Sequence, residues 1–424
     1  MSYGSANSDI AFEPLKILIV VEAAGGGSGR HVIELAEGLT AVGCNVHLIY
    51  SEVRSDPNFR AGLAKLKKVN TLSVPMRREP HWTDLGCMLR IRQYIRKFGG
   101  FDVVHAHSSK AGVLARIAAI GCRTATIYTP HAMRTMDPGL HPALHAFYRL
   151  IEVALARSCS DLIIAVSDFE RSHIQKQGVP KSKICVIVNG VPQVPPSDRG
   201  AIRKAIGLAD NEFCVGFIGR LVPQKAPERF VLAVERLSLH EPRVRGVVVG
   251  SGPLQQSTHG AARAAGVFEK IVWITDQPGP AVLPAFDVLL MPSLYEGMPY
   301  VLLEALAAGV PIVTTDVGGA KEAVDNGVTG FILPENFTDE LVERLALLAH
   351  DEPLRQQMSA ASLRKSSEVS IDHMVMQTLR AYNHAVRKHG PNRPFAIAAE
   401  PYKIPLLQTQ GPHRGSEGNI IFPD

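Results

Sequence analysis

Short runs of valine, isoleucine and leucine alternate with longer segments of helical period along most of this 424-residue chain. Alternation of this kind is typical of parallel strands joined by crossover helices, and it places the chain in the α/β class. The alternation stops once, at residues 191–197, where three prolines in seven residues discourage both strand and helix. We therefore predict two doubly wound, Rossmann-like domains on either side of this segment.

The predicted organisation has four parts. The first domain spans residues 1–195, the second spans residues 196–370, and a helix over residues 371–389 is expected to pack back on the first domain. Residues 390–424 contain six prolines and are expected to be irregular. The predicted strands of the first domain are 15–21, 45–50, 69–74, 102–106, 124–128, 162–166 and 184–188. Those of the second domain are 213–218, 244–249, 270–274, 288–291, 311–315 and 330–332.

Composition excludes several classes of protein. Apolar residues make up 46% and charged residues 20% of the chain, so it can bury large cores and is not intrinsically disordered. No apolar stretch reaches the roughly 18–20 residues that span a bilayer, and residues 1–13 lack the basic region of a signal peptide, so we expect a cytoplasmic protein. The six cysteines lie at least 26 positions apart, which excludes short metal or redox cysteine pairs and predicts reduced thiols.

The charge is distributed unevenly along the chain. Residues 1–195 contain 23 basic and 15 acidic residues, whereas residues 196–424 contain 22 basic and 25 acidic residues. The excess of positive charge in the first half indicates either a partner with an anionic surface or an ordinary basic surface, because charge balance predicts association rather than fold.

A glycine-rich segment, residues 25–29, joins the first predicted strand to a helix predicted over residues 31–41. Backbone without side chains can approach a phosphate closely while helix N–H groups point at it. The alternative is a tight turn that binds nothing. The dinucleotide fingerprint would need a glycine where Arg30 stands, so a nicotinamide-dependent oxidoreductase, with Glu52 as its ribose partner, fits poorly.

Two glutamates, Glu296 and Glu304, lie eight positions apart after the predicted strand 288–291. Pro299 suits the first turn of a helix, which places Glu296 in the approach loop and Glu304 roughly 7–8 Å along the helix axis. One ligand could contact both carboxylates, with an anion held between them by free helix N–H groups, and a polyhydroxylated diphosphate fits that description. The alternative, a solvated Glu304, conflicts with its apolar neighbours.

Two cations, Arg220 and Lys225, follow the first predicted strand of the second domain. This is the carboxyl edge of the predicted sheet, where open α/β sheets bind ligands. An arginine and a lysine at this edge can stabilise a diphosphate that gains negative charge as it leaves. The alternative is a pair of surface cations with no shared ligand.

The two glutamates, the two cations and the glycine-rich segment together resemble those of the family-four retaining glycosyltransferases. This family has the GT-B architecture, in which two Rossmann-like domains face a central cleft. The resemblance covers roughly residues 15–385. Further similar segments are residues 105–112, 129–132, 165–168, 188–191 and 315–322.

The resemblance implies roles on the donor side of the cleft. Arg220 and Lys225 would bind the donor diphosphate, Glu304 would bind the nucleotide ribose, and Glu296 would contact hydroxyl groups of the donor sugar. The remaining residues implied to bind the donor are Gly26, Gly27, Gly297, Met298 and Pro299. This sequence departs from the family at Ala226, where many members have glycine, and at Met298-Pro299, where relatives have other pairs.

The resemblance also implies roles in the first domain. His131 would lie beside the anomeric carbon of the donor sugar and would form the catalytic group with Arg220, Lys225 and Glu296. The acceptor would meet a first-domain loop. That loop would carry His107, Ser108, Ser109 and Lys110. A structural role is the alternative for both histidines, because a histidine after a strand is often structural.

The resemblance implies retention of the anomeric configuration, yet the sequence offers no convincing nucleophile, because the matching acids belong to donor binding. We expect a front-face substitution in which the leaving diphosphate helps to deprotonate the acceptor hydroxyl. No Asp-x-Asp sequence occurs in the chain. We therefore expect activity without a divalent metal and without a cofactor.

The expected partners are a nucleotide-sugar donor, a UDP-sugar, and a lipid-linked saccharide acceptor at an anionic membrane surface, with no nucleic acid. The basic first domain, the four cations of a helix predicted over residues 85–97 and the nearby Trp82 favour peripheral binding to the inner face of the cytoplasmic membrane. Residues 105–112 resemble enzymes of bacterial surface polysaccharide synthesis, which implies O-antigen, capsule or exopolysaccharide as the product. The alternatives are a sugar-phosphate synthase with a small soluble acceptor and a non-enzymatic sugar-nucleotide-binding relative.

Overall fold

The computed structural model describes residues 14–137, 139–193, 197–334 and 339–389. The predicted irregular tail, residues 390–424, lies outside the described residues. The first domain is built on strands β1 (Lys16–Val21), β2 (Asn45–Tyr50), β3 (Asn70–Ser73), β4 (Val103–His107), β5 (Ala125–Thr129), β6 (Leu162–Ala165) and β7 (Ile184–Val186). These strands form one sheet in the order β3-β2-β1-β4-β5-β6-β7. All six strand pairings are parallel, as the predicted crossover pattern requires.

The second domain repeats this arrangement with six strands. They are β8 (Phe213–Ile218), β9 (Val244–Val249), β10 (Ile271–Ile274), β11 (Val288–Met291), β12 (Ile312–Thr315) and β13 (Gly330–Leu333). Their order in the sheet is β10-β9-β8-β11-β12-β13, again with parallel pairing throughout. Two Rossmann-like sheets therefore confirm the predicted α/β fold class.

Helices cover both faces of each sheet. In the first domain they are α1 (Gly26–Ala41), α2 (Pro57–Lys65), α3 (Asp84–Phe98), α4 (Ser109–Ala118), α5 (Pro142–Ser158) and α6 (Asp168–Gln177). The second domain contains α7 (Arg199–Ala205), α8 (Pro227–Ser238), α9 (Gln255–Ala264), α10 (Gly279–Val282), α11 (Tyr300–Ala307), α12 (Ala320–Ala323), α13 (Asp339–His350) and α14 (Glu352–Lys365). The last helix is α15 (Ile371–Arg387).

The strand β1 shows why its sequence is almost continuously apolar. Ile17, Ile19 and Val21 face a core shared with α1 and α15, whereas Leu18 and Val20 face a second core shared with α3 and α4. All five side chains are fully buried. A strand covered on both faces has no polar side, which is why the apolar run identifies a parallel sheet.

The helix α15 belongs to the core of the first domain although it follows the second domain in sequence. Its buried residues Met374, Leu379 and Tyr382 pack with α1 and with the inner strands of the first sheet. The two places where the chain crosses between domains lie side by side, because Val191 N–H donates to Val369 O at 2.8 Å and Ile371 N–H donates to Val191 O at 3.3 Å.

Strand order fixes where ligands can bind. In the first sheet the chain leaves β1 toward β2 and later restarts at β4 on the other side, so the order reverses between β1 and β4. The second sheet reverses in the same way between β8 and β11. Open α/β sheets bind ligands outside the carboxyl ends of the strands at such a reversal. Both reversals lie at the cleft between the domains.

The first predicted helix differs from the structure at its start. The helix α1 begins at Gly26, five residues before the predicted start at residue 31, so the glycines form its first turn. Within the described part of the chain, no helix is both long and apolar enough to cross a membrane. All six cysteines are free thiols.

Candidate active site

The carboxylate of Glu296 lies at the centre of the second domain's side of the cleft. Glu296 follows β11 and is only 7% exposed. Its Oε1 lies 2.6 Å from Lys225 Nζ, and its Oε2 accepts a hydrogen bond from Gln224 Nε2 at 3.2 Å. The same amide donates to Tyr295 O at 2.9 Å. The two loops that were predicted to share a ligand are therefore joined by this carboxylate.

Glycines hold the Glu296 loop in place. A Cβ on Gly318 would lie 2.3 Å from Glu296 O, and Gly319 has a φ of +82° and packs against Met298. On the other side of the cleft, a Cβ on Gly297 would lie 3.1 Å from the Cβ of Ala132. The backbone of residues 296–298 can lie where it does only because Gly318 and Gly319 have no side chains.

The position after Lys225 has the backbone conformation of a glycine. Ala226 has a φ of +47°, a value that residues other than glycine adopt only with strain. The alanine at this position therefore adopts a conformation that glycine favours. Arg220 is exposed two residues after the end of β8, and neither Arg220 nor Lys225 is among the described residues that line the cavity between the domains. The Lys225 side chain lies beside Gly219, the residue before Arg220, because a Cβ on Gly219 would lie 3.6 Å from Lys225 Cδ.

Glu304 is paired across the cleft with a residue of the first domain. Its side chain is buried in α11 and forms an ion pair with Arg30 of α1. Arg30 also contacts Glu34 at 2.7 Å, and its guanidinium lies 4.5 Å from the centre of the Tyr300 ring. A buried Glu304 was expected to need a partner, and this partner is Arg30, which lies 274 positions away in the sequence.

The glycines at the start of α1 lie in this same region. Gly26 has a φ of +57°, and its N–H donates to Asp56 Oδ2 at 2.8 Å. A Cβ on Gly27 would meet the Tyr300 ring at 3.3 Å, so this residue is where α1 approaches the second domain.

His131 lies on the opposite wall of the cleft in a strained conformation. His131 and Ala132 have φ values of +55° and +70°. The carboxylate of Glu170 holds this turn by accepting hydrogen bonds from the N–H groups of Ala132 at 2.7 Å and of Val166 at 2.8 Å. Burial raises the pKa of Glu170 to about 7. Strained residues that are held by buried partners are characteristic of functional sites.

Four histidines pack together behind this wall. His107 Nδ1 and His131 Nε2 are 3.0 Å apart, and His105 Nδ1 lies 2.7 Å from the Tyr382 hydroxyl of α15. Burial, and then the neighbouring imidazoles, hold the pKa values of His107 and His131 well below the usual range, so both rings are neutral at pH 7. Within the described residues, His31, His107 and His131 form one group whose nitrogens, within 4.8 Å of one another, could hold a metal ion.

The predicted acceptor loop is not a loop. His107 is the last residue of β4 and is fully buried, while Ser109 and Lys110 begin α4. Ser108 alone forms the turn, with a φ of +72°. The prediction was wrong in this respect because a strand that ends directly against its helix needs only one residue in the left-handed region to change direction.

Two cavities that share lining residues open among the described residues of the cleft. The first, of about 420 Å³, lies between the domains and is lined by His131 and the Glu296 loop. Among the predicted donor residues it brings together Gly27, Glu296, Gly297 and Met298. The second, of about 490 Å³, lies in the first domain, and Ser108, Ser109 and Lys110 line it. The residues that line both cavities are Ser28, Arg78, His131, Ala132 and Arg134.

Residues that the sequence reasoning missed hold this site together. They are Arg30, Glu170 and Gln224. Glu170 had a local signal, because it stands three residues after the helix N-cap Ser167, the S-x-x-E pattern of a capping box. Ser167 Oγ caps the helix, as that pattern predicts, by accepting a hydrogen bond from the Glu170 N–H at 3.1 Å, while the Glu170 carboxylate accepts one from Ala132 of the His131 turn.

Two parallel-sheet domains that face each other across such a cleft define a GT-B glycosyltransferase. Residues 25–193 match the family described as Glycosyltransferase Family 4, and residues 198–365 match the one described as Glycosyl transferases group 1. The D-inositol 3-phosphate glycosyltransferase of Stackebrandtia nassauensis is 30% identical over 312 residues, which cover 69% of this chain and 70% of the relative. The chain belongs to the family-four glycosyltransferases, as its motifs predict.

Other relatives have different substrates in their names. The UDP-Gal:alpha-D-GlcNAc-diphosphoundecaprenol alpha-1,3-galactosyltransferase of Escherichia coli is 29% identical over 282 residues, which cover 64% of this chain and 72% of that one. The crystal structure of Anabaena Alr3699/HepE in complex with UDP has a TM-score of 0.75 and 22% identity, and covers 87% of this chain and 100% of that chain. This likeness establishes the GT-B fold.

Proposed function

We propose that the protein is a retaining, metal-independent glycosyltransferase that moves a sugar from a UDP-sugar to a lipid-linked saccharide in bacterial surface polysaccharide synthesis. The observation that carries the proposal is the cavity between the Glu296 loop and His131, which is lined from both domains. Two relatives support the substrates. HepE has been crystallised with UDP-glucose, and the name of the Escherichia coli relative contains a UDP-sugar and a diphosphoundecaprenol acceptor.

Lys225 and Glu296 act together on the donor side. Without donor, each neutralises the other at 2.6 Å. When a diphosphate binds, the Lys225 ammonium moves to its oxygens, and the freed Glu296 carboxylate accepts hydrogen bonds from hydroxyl groups of the sugar. The N–H groups at the start of α11 face the same loop without a side-chain cap, so they add positive potential for the diphosphate.

The transfer itself is a substitution at the anomeric carbon. The acceptor oxygen attacks this carbon on the face from which the diphosphate leaves, the bond from carbon to diphosphate oxygen breaks, and the acceptor proton passes to the diphosphate. Lys225 stabilises the charge that develops on the leaving group, which accelerates the reaction because this interaction is stronger in the transition state than in the ground state. The neutral imidazole of His131 lies beside the sugar and adds no competing positive charge.

A small phosphorylated acceptor is the second candidate. Several relatives are D-inositol 3-phosphate glycosyltransferases. Three arginines, Arg54, Arg78 and Arg134, line the second cavity and suit a phosphate. Both candidates use the same donor site, so they differ only in what occupies the second cavity.

The proposed membrane surface is the exposed face around α3. Trp82 is 84% exposed and Leu85 is 63% exposed, and the cations Arg90 and Arg96 are exposed on the same helix. Exposed aromatic and apolar side chains among cations bind anionic lipid surfaces. The protein is expected to float with anionic vesicles at low salt and to dissociate at high salt. Absence of binding at low salt would favour the soluble acceptor.

The donor site is tested by ligand-induced stabilisation. UDP-, GDP- and ADP-sugars are compared by thermal shift for the wild type, Glu304→Gln and Glu343→Gln, an exposed carboxylate of α13 that serves as a matched control. A ligand at 100 times its Kd stabilises the native state by about 2.7 kcal/mol. We expect a shift with UDP-sugars that Glu304→Gln loses and Glu343→Gln keeps. A protein stabilised by none of the sugar nucleotides would refute the proposed function.

A further inference from the structure

The carboxylate of Glu22 occupies a position that the donor site does not use. Glu22 directly follows β1, and Ser108 directly follows β4, so the two residues flank the point where the strand order of the first sheet reverses. They are the first-domain counterparts of Arg220 and the Glu296 loop, which follow β8 and β11. Topology therefore places Glu22 where an open α/β sheet binds a ligand.

Glu22 is buried with unused hydrogen-bonding capacity. It is 4% exposed. Its Oε1 forms an ion pair with Arg54 Nε at 3.0 Å. Its Oε2 accepts a long hydrogen bond from the Ser108 hydroxyl, at 3.4 Å. Burial raises the pKa of Glu22 in spite of Arg54. A carboxylate offers about four acceptor sites, so the Arg54 ion pair and the long Ser108 contact leave Glu22 with acceptor capacity that hydroxyl groups can fill.

The second cavity gives access to this carboxylate. Glu22 and Ser108 line it together with His131, the residue it shares with the donor cavity. An occupant can therefore contact Glu22 while one of its hydroxyl groups reaches the donor sugar. Arg54 and Arg134 line the same cavity and suit a phosphate. The occupant that this set of groups fits is a polyhydroxylated compound that carries a phosphate or diphosphate.

We infer that Glu22 binds the acceptor: its carboxylate accepts a hydrogen bond from one hydroxyl group of a phosphorylated polyol or saccharide in the second cavity. This bond selects which neighbouring hydroxyl faces the anomeric carbon, so Glu22 determines the site of glycosylation. The inference rests on the proposed function, because it needs a donor sugar in the adjoining cavity. The phosphorylated polyol can be lipid-linked or free, and the experiment below distinguishes these two sources.

The test separates acceptor binding from donor chemistry. The wild type, Glu22→Gln and Glu37→Gln are assayed for UDP release from UDP-sugars, first with water as acceptor and then with a GlcNAc-diphosphoundecaprenol analogue or inositol 3-phosphate. Glu37 is an exposed carboxylate of α1 and provides the same change of charge outside the cavity. Glu22→Gln keeps the shape of the side chain, so it should fold, and thermal denaturation verifies this.

The expected result is specific to the acceptor. Glu22→Gln should raise the acceptor KM or lower kcat by about 10- to 100-fold, the loss typical of one hydrogen bond to a charged group. UDP release with water should stay within about twofold of the wild type, as should every parameter of Glu37→Gln. Analysis of the product linkage should show a mixture with Glu22→Gln and a single linkage with the wild type.

Deoxy analogues of the accepted probe exclude a purely structural role. One analogue, which lacks the hydroxyl bound by Glu22, should be a poor acceptor for the wild type yet no worse than the parent compound for Glu22→Gln. Unchanged acceptor kinetics in Glu22→Gln would overturn the inference. A wild type that releases UDP with water but uses neither probe would overturn the acceptor class. A wild type that releases no UDP from any UDP-sugar would instead refute the proposed function.

Discussion

Replacing Lys225 with methionine tests the central pair of the proposed donor site. Methionine keeps a long unbranched side chain but removes the charge. In the unliganded protein the change leaves Glu296, whose side chain is 8% exposed, with Gln224 Nε2 at 3.2 Å as its remaining side-chain donor among the residues that the structure describes. Lys225→Met therefore has two separate consequences, one for the stability of the protein and one for catalysis.

The two consequences differ in size and in origin. Loss of one preorganised donor to the leaving group lowers turnover by about 10²–10³, or roughly 2.7–4 kcal/mol of activation free energy. Leaving the nearly buried Glu296 carboxylate without its cation costs about 1–3 kcal/mol of the free energy of unfolding. For a domain of this size each kcal/mol lowers Tm by about 2–4 °C.

A double-mutant cycle separates these effects. Glu296→Gln needs no cation, so the double variant Lys225→Met, Glu296→Gln should recover most of the lost Tm. Its turnover should stay as low as that of Lys225→Met or lower, because the diphosphate still lacks its lysine. UDP release gives kcat, differential scanning calorimetry gives Tm, and the exposed Lys204→Met of α7 is the matched control. If Lys225→Met lowers Tm but leaves kcat within twofold of the wild type, Lys225 is only the structural partner of Glu296.

Three further predictions concern other residues of the cleft. Arg30, whose side chain is 30% exposed, forms an ion pair with Glu304 that is worth about 0.5–1 kcal/mol. If the ribose of UDP takes the place of Arg30 on Glu304, Arg30→Gln should tighten UDP binding about two- to fivefold, as measured by calorimetry. Weaker binding would contradict this prediction. Burial raises the pKa of Glu170 from 4.5 to about 7, so its contribution to stability is complete below pH 4.5 and is lost as the pH rises to about 7. As the pH rises across this range, the free energy of unfolding of the wild type should therefore fall more steeply than that of Glu170→Gln. The difference between the two slopes should be at most about 1.4 kcal/mol per pH unit. Equal slopes would refute the raised pKa of Glu170. Turnover should survive EDTA, whereas inactivation by EDTA with stoichiometric metal in the purified protein would assign a metal site to the His31, His107 and His131 group.

The strands could be predicted from the sequence because burial on both faces leaves an uninterrupted apolar run. The strands Phe213–Ile218, Val244–Val249 and Val288–Met291 have the predicted bounds. The start of α1 could not be predicted in this way, since glycine is a poor helix former. A Cβ on Gly29 would lie 2.9 Å from Ala24 C, so close packing requires a residue that helix propensity disfavours.

The candidate site was predictable only where sheet topology decides it. Residues that follow β8 and β11 meet at one edge, so Lys225 and Glu296 could be expected near each other. The pairing of Glu304 with Arg30 depends on how closely two domains approach, and no local pattern encodes that distance. The hydrogen bond from Ala132 N–H to Glu170 depends likewise on the strained turn at His131, which its sequence does not reveal.

The position of α15 has a consequence for how the protein is made. Its residues complete a core whose other members end at Ile187, but the ribosome must translate the whole second domain before it reaches Ile371. At about 5–20 residues per second this takes on the order of ten seconds or more. Throughout that interval the nascent first domain exposes the apolar surface that α15 later covers, so this surface is accessible to chaperones until α15 has been translated.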